Sequence, residues 1–163
     1  IIVSRIEKVA DEEVNFADFL PSTPCDRTAL ERELDERIAE VRNPDCRRLL
    51  EYFFGAGPAS VRRAFCEAPA AAKVHQAYLG GLLEHTLAVL RNALLLAPNY
   101  QPCDRDALIT GALLHDLGKI REFEWRRVIR YTDEGRLVGH ITIAAGMVQN
   151  ALRELAPFDE RLG

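Results

Sequence analysis

The sequence predicts an all-α domain with one small β-hairpin. Apolar residues recur at spacings of three and four along most of the 163-residue chain, the period of helices packed on one side. Proline, glycine and asparagine cut that pattern at short intervals, which sets helix ends and tight connections. Only residues 120–132 change to a strand-like alternation.

In chain order, residues 1–20 open with β-branched residues, turn acidic, and read as an extended arm rather than a free-standing unit. Pro21 to Pro24 marks a break. From Thr28 a charged helix carries Leu30, Leu34, Ile38 and Val41 as one stripe, with Thr28 and Glu31 at capping-box spacing. Asn43-Pro44-Asp45 ends it and starts the next helix, supplying an N-cap, a proline at the first helical position and an acid in the first turn. Leu49, Leu50, Phe53 and Phe54 form the apolar face of that helix, and Gly55 suits its C-terminal end. Ser60 is placed to cap a short helix through Glu67. A long helix over Tyr78 to Leu96 follows, then a loop between Pro98 and Pro102. Asp104 caps a helix running to Leu117, with Gly118 as its stop. Phe123 and Trp125 alternate with Glu122 and Glu124, and Val128 to Tyr131 supplies the second arm of a hairpin. Asp133-Glu134-Gly135 reads as a turn. A last helix spans Leu137 to Leu155, with Leu137, Ile141, Ala144, Val148, Leu152 and Leu155 as its inner face.

Composition excludes several classes. The chain is 48% hydrophobic and 28% charged, with a net charge of −4, so nothing global points to nucleic acid or an anionic membrane. No apolar run approaches the roughly 18 residues that a membrane helix needs without meeting a charge. The cysteines Cys25, Cys46, Cys66 and Cys103 form no close pair. That rules out a CxxC zinc knuckle and fits reduced thiols in a cytoplasmic protein. The chain begins with Ile1 and stops at Gly163, and it is expected to be a piece of something longer.

The chemistry concentrates in His115-Asp116-Leu117-Gly118-Lys119. The helix before it is apolar, from Ala107 to Leu114. A histidine and a carboxylate buried at its end are costly unless they are paired or hold a cation, and a helix C-terminus favours a cation. His85, in Gly80-Gly81-Leu82-Leu83-Glu84-His85, lies on the apolar side of its own helix, behind two glycines that permit close backbone approach. His140 borders the inner face of the last helix. His75 is the remaining one of the chain's four histidines. Each could instead be a structural residue of the core. Lys119 is one of three lysines among 21 basic residues. It suits charge on a phosphoryl oxygen, or simply caps a helix end. Arg121, Arg127 and Arg130 stand near Trp125, a mixture that suits single-stranded nucleic acid. Neighbouring acids reduce this patch to a solvated hairpin in the plainer reading.

His75 to His85, Leu113 to Lys119 and Gly135 to Ile141 together resemble the HD superfamily of metal-dependent phosphohydrolases. The likeness is strongest to the HD domain of bacterial 3′→5′ exoribonucleases that join an OB-fold domain to an HD domain. It implies an HD helical bundle over residues 21–163, cut short at its C-terminus, with residues 1–20 as the trailing arm of an upstream, OB-fold domain. It implies that His85, His115 and Asp116 bind one metal, that His140 serves a second, and that His75 is an additional candidate. The family adds an aspartate and, in two-metal members, a histidine pair, both lying downstream; neither occurs before Gly163.

A mixed histidine and carboxylate shell suits Mn, Fe, Co, Ni or Zn, as one or two ions. The expected reaction is phosphodiester hydrolysis, with Asp116 and Lys119 as the catalytic residues and a metal-activated water attacking phosphorus. Single-stranded RNA is the expected substrate, with Arg121, Trp125, Arg127 and Arg130 as candidate contacts. A hydrolase of small or signalling nucleotides, or a non-catalytic module that binds nucleotide or RNA, is the alternative. No membrane partner is expected, and a homo-oligomer is compatible with the sequence.

Overall fold

The computed structural model of the chain describes residues 5, 7–10, 14 and 16–157. Nine of the twenty residues of the expected extended arm lie outside these, and Phe16–Phe19 forms one 3₁₀ turn. The segment after it is extended and tied to the start of the central helix. Thr23 N–H donates to Leu79 O, and Leu79 N–H to Pro21 O, both at 2.8 Å.

Eight helices follow among the described residues: α1 Arg27–Glu40, α2 Pro44–Phe54, α3 Arg62–Glu67, α4 Gly81–Leu96, α5 Arg105–Leu114, α6 Lys119–Glu122, α7 Asp133–Leu137 and α8 His140–Leu155. Two short antiparallel strands, β1 Phe123–Glu124 and β2 Arg130–Tyr131, lie between α6 and α7. In their register Phe123 faces Tyr131 and Glu124 faces Arg130. The all-α fold with an inserted hairpin is therefore the observed one.

Helix α4 is the centre. Leu82, Leu83, Leu87 and Leu90 are fully buried, and the helix packs against α1, α3 and α5. Helix α5 contributes Ile109 and Leu113, and α2 contributes Leu50, Phe53 and Phe54. Truncating one such leucine to alanine costs about 2–5 kcal/mol. Helix α8 closes the other side, against α2 and α6. The four cysteines are free, and burial pushes the Cys66 thiol up to about 11. Among the described residues no helix is long and apolar enough to cross a membrane.

The caps show which local signals held. Asn43 caps α2 through the N–H groups of Asp45 and Cys46, with Pro44 in the first turn. Asp104 caps α5 through Asp106 and Ala107. Helix α1 differs: Asp26, not Thr28 with Glu31, accepts from the N–H groups of Thr28 and Ala29. The cap therefore sits two residues earlier, and the helix begins at Arg27. Helix α3 begins at Arg62 with Val61 at the cap, and Ser60 makes only a 3.4 Å bond to Arg62 N.

The connections around the future site depart most from expectation. Helix α4 starts at Gly81, because Gly80 takes a left-handed φ of +78° and breaks the helix there. Helix α5 stops at Leu114, and residues 115–118 form a turn rather than a last helical turn. Gly118 is no C-terminal stop. A Cβ there would lie 2.1 Å from His140 O and 2.8 Å from Ala144 N, so glycine lets α6 and α8 touch. Residues 133–135 are helical, not a turn, since Thr132 Oγ1 accepts from Gly135 N at 2.9 Å and starts α7. The left-handed Gly139 separates α7 from α8. The inner face of α8 is as expected at Ala144, Val148, Leu152 and Leu155, which pack on the core, but not at its N-terminal end. Ile143, Ala144 and Ala151 are buried, whereas Leu137 is 86% and Ile141 73% exposed.

Candidate metal centre

The turn after α5 carries Asp116 into the interior, where its side chain is 7% exposed. Three histidines from three different places in the chain face it with Nε2. His85 Nε2 from α4 lies 3.4 Å from Asp116 Oδ2. His115 Nε2 lies 3.3 Å from the same oxygen. His140 Nε2, at the first residue of α8, lies 3.4 Å from the other oxygen, Oδ1. Lys119 Nζ reaches Oδ2 at 2.7 Å. Ligand atoms of His85, His115 and Asp116 all lie within 4.8 Å of one another. This group of three could hold a metal ion; His140 stands outside it, on the far oxygen.

Each imidazole is held by its other nitrogen. His115 Nδ1 is 2.8 Å from Ala112 O, a carbonyl left without a helical partner at the end of α5. His140 Nδ1 is 2.9 Å from Glu122 Oε1, which also accepts from His140 N at 3.1 Å. His85 Nδ1 is 3.0 Å from Gln76 Oε1. The Gln76 amide is oriented in turn, because its Nε2 donates to Glu84 Oε1 at 3.3 Å. A carboxylate can only accept, so Oε1 must be the atom facing His85. Carbonyl, carboxylate and amide oxygens thus take the Nδ1 proton of all three rings and aim each Nε2 at Asp116, as a lone pair wherever the ring is neutral. Metal-binding histidines are held in this manner. Three nitrogen lone pairs beside one carboxylate repel unless protons or a cation lie between them, so the donor set fits a divalent ion.

Burial would raise the Asp116 pKa, but hydrogen bonds and charge from His115 and Lys119 outweigh it and hold the group well below the usual carboxylate range. His85 is lowered, first by burial, which favours the neutral, ligating ring. His115 is raised instead, first by its hydrogen bond to Asp116, which favours its protonated form beside the carboxylate.

The support behind His85 runs further. The Glu84 carboxylate also accepts from the hydroxyls of Thr23 and Tyr78. Burial opposes its ionisation, yet the hydrogen bonds from Thr23, Gln76 and Tyr78 prevail and lower its pKa. Tyr78 is pushed up to about 12, first by burial and then by its bond to Glu84. Gln76 has a left-handed φ of +59°, rare for a residue with a Cβ. Its carbonyl accepts from Ala70 N at 3.1 Å and would lie 2.2 Å from a Cβ at Gly81. The Gly80-Gly81 pair therefore serves the close approach expected of it.

Other candidates fare differently. His75 is exposed and lies outside the three-residue group; it is Gln76, its neighbour, that turns inward. Trp125 is partly buried and packs against the hydrophobic core. Arg121 is engaged by Glu134 at 2.6 and 3.0 Å. Arg130 pairs with Glu124, and with Arg127 it lines a cavity of about 440 Å³. Gln76 and Glu122 were not foreseen. Glu122 was read as the outward position of a strand; it is 6% exposed and ends α6. Its one local signal is an acid next to a buried phenylalanine, which strands and helix ends share.

Residues 82–161 match the model of the HD domain family, and this part of the chain is an HD domain. Three relatives show the wider likeness, each a "3′-5′ exoribonuclease YhaM". That of Shouchella clausii is 35% identical over 142 residues, 87% of this chain and 43% of the relative. That of Bacillus subtilis is 34% identical over 152 residues, 93% and 47%. That of Bacillus pumilus is 31% identical over 159 residues, 97% and 49%. The chain thus spans a little under half the length of the relatives it matches. No solved structure matches it.

Proposed function

We propose that the protein is a metal-dependent phosphodiesterase that removes nucleotides from the 3′ end of single-stranded RNA. The observation that carries this is the set of three imidazoles, each with Nδ1 engaged by a protein oxygen and Nε2 within 3.4 Å of Asp116. The relatives' activity supports the choice of RNA and of polarity. His85, His115 and Asp116 would hold a divalent transition metal such as Mn, Fe, Co, Ni or Zn, and His140 would serve a second ion on the Oδ1 side. When bound, such an ion supplies Lewis-acid polarisation of a phosphoryl oxygen and activation of water at neutral pH.

The chain's own residues do the rest. Asp116 orders the site by drawing Lys119 and three rings to one carboxylate. Lys119 keeps its ammonium 2.7 Å from that carboxylate, placed to offset negative charge that develops on a phosphoryl oxygen. Gln76, Glu122 and Ala112 O hold the rings so that little reorganisation accompanies the reaction. Residues 21–163 would form the catalytic HD domain, and residues 1–20 the end of an upstream OB-fold domain. The free cysteines suit a cytoplasmic location.

The test uses the full-length gene product with Mn²⁺, end-labelled single-stranded RNA and a panel of free nucleotides. Mononucleotides should be released from the 3′ end, and the activity should vanish in His115→Ala and Asp116→Ala and on chelation. Turnover of free nucleotides with no attack on RNA would overturn the assignment in favour of a nucleotide hydrolase.

A further inference from the structure

A cavity of about 740 Å³ is lined among others by Lys73, Val74, Ile129, Arg130, Tyr131 and Arg136. This is the size range of ligand sites. Three cations line it and no carboxylate does, on a chain whose net charge is −4. Arg130 is steadied by Glu124. Among the described residues, Lys73 and Arg136 have no acidic partner, so their charge is available to an anion. Tyr131 is 43% exposed, and its ring is braced at 4.9 Å by that of Phe123. That leaves a fixed aromatic surface between cations.

Both walls of the cavity lead to the residues that orient the histidines. Val74 is two residues from Gln76, at most about 7 Å of chain, and Gln76 holds His85. Gly135 rests on Glu122, so closely that a Cβ would lie 2.2 Å from Glu122 O, and Glu122 holds His140. The cavity therefore bridges the two supports of the centre. Arg130 also lines the smaller cavity, with Glu124, Arg126 and Arg127.

We propose that this cavity is the binding site for the single-stranded RNA segment next to the scissile phosphate, with Tyr131 stacking one base and Lys73 and Arg136 each contacting a backbone phosphate. The proposal rests on the phosphodiesterase reading above and goes beyond it. It adds Lys73, Tyr131 and Arg136 to the candidate contacts Arg121, Trp125, Arg127 and Arg130. Such a track makes a strand a better ligand than a mononucleotide, because stacking and phosphate contacts add along the chain.

The probe is a fluorescein-labelled uridylate dodecamer, titrated with the full-length protein in chelator and followed by anisotropy over a range of salt concentrations. Tyr131→Ala should weaken binding about 10-fold. Lys73→Gln with Arg136→Gln should lower the slope of log K against log salt by about 1.4, close to 0.7 for each phosphate contact on a single strand. Thermal denaturation identifies a variant that has merely lost its fold, and the salt slope of the folded fraction still reports the contacts. Wild-type affinity and slope in all variants would overturn the cavity's role. Hydrolysis of bis(p-nitrophenyl) phosphate by the wild-type protein with Mn²⁺ is measured alongside. Its absence would instead overturn the phosphodiesterase reading on which the proposal rests.

Discussion

Replacing Gln76 by alanine tests how far the proposed metal site depends on a residue that touches no metal. The substitution keeps a Cβ at the left-handed φ of +59°, so the local backbone cost is nearly unchanged. It removes the 3.0 Å acceptor of His85 Nδ1 and the 3.3 Å donor to Glu84. A neutral hydrogen bond contributes about 1 kcal/mol net, and the cost rises toward about 2 when a half-buried N–H is left without a partner. Such a loss falls on the ligating orientation of His85 and corresponds to about 5- to 30-fold in affinity. Removal of similar ring supports costs about 10- to 100-fold. Isothermal titration of the metal-free full-length protein with Mn²⁺, repeated with Zn²⁺, should therefore show affinity reduced about 10-fold in Gln76→Ala. Unchanged affinity in Gln76→Ala, alongside lost binding in His115→Ala, would refute the idea that Gln76 sets the ring.

Other consequences follow from the same contacts. Glu122→Ala leaves His140 N and Nδ1 without their shared acceptor and should cost about 1–3 kcal/mol in urea denaturation, whereas Glu122→Gln, which can keep one accepting oxygen, should cost less. Gly118→Ala forces a Cβ to within 2.1 Å of His140 O. Overpacking of this kind costs about 1–3 kcal/mol, so the thermal midpoint should fall by several degrees; a wild-type midpoint would mean that α6 and α8 do not meet there. Glu33 is held below its ordinary value of 4.5, first by its hydrogen bond to Arg91. A depressed carboxylate stabilises the fold above its unfolded pKa, and that contribution fades as pH falls from about 4.5 through the folded value. Glu33→Gln should therefore be less stable than wild type at pH 6–7, and the two proteins should converge at low pH; a constant gap would contradict the pairing.

Much of the fold was legible because helices announce themselves locally. Asn43-Pro44-Asp45 and Asp104 contain their whole capping chemistry within a few residues, and the stripe of Leu30 and Leu34 needs only a 3.6-residue period. Asp116 could be suspected from sequence because a carboxylate after an apolar helix is costly without a partner. What failed was also local in appearance. Residues 133–135 look like a turn, yet Thr132 makes them a helix. Leu137 and Ile141 continue the period of the last helix, yet Leu137 belongs to α7, before the break at Gly139, and both are exposed.

By itself, then, the sequence determined the class of domain, the helix ends with complete caps, and the residues able to bind a metal. Only the tertiary structure decided how those residues are used. His85 meets Asp116 across 31 positions, and Glu122 reaches His140 with a separation of 18. Which ring nitrogen is free, which acid is buried, and whether His75 or Gln76 turns inward depend on contacts between helices. No periodicity encodes them, because each is set by how α4, α5, α6 and α8 pack around one buried carboxylate.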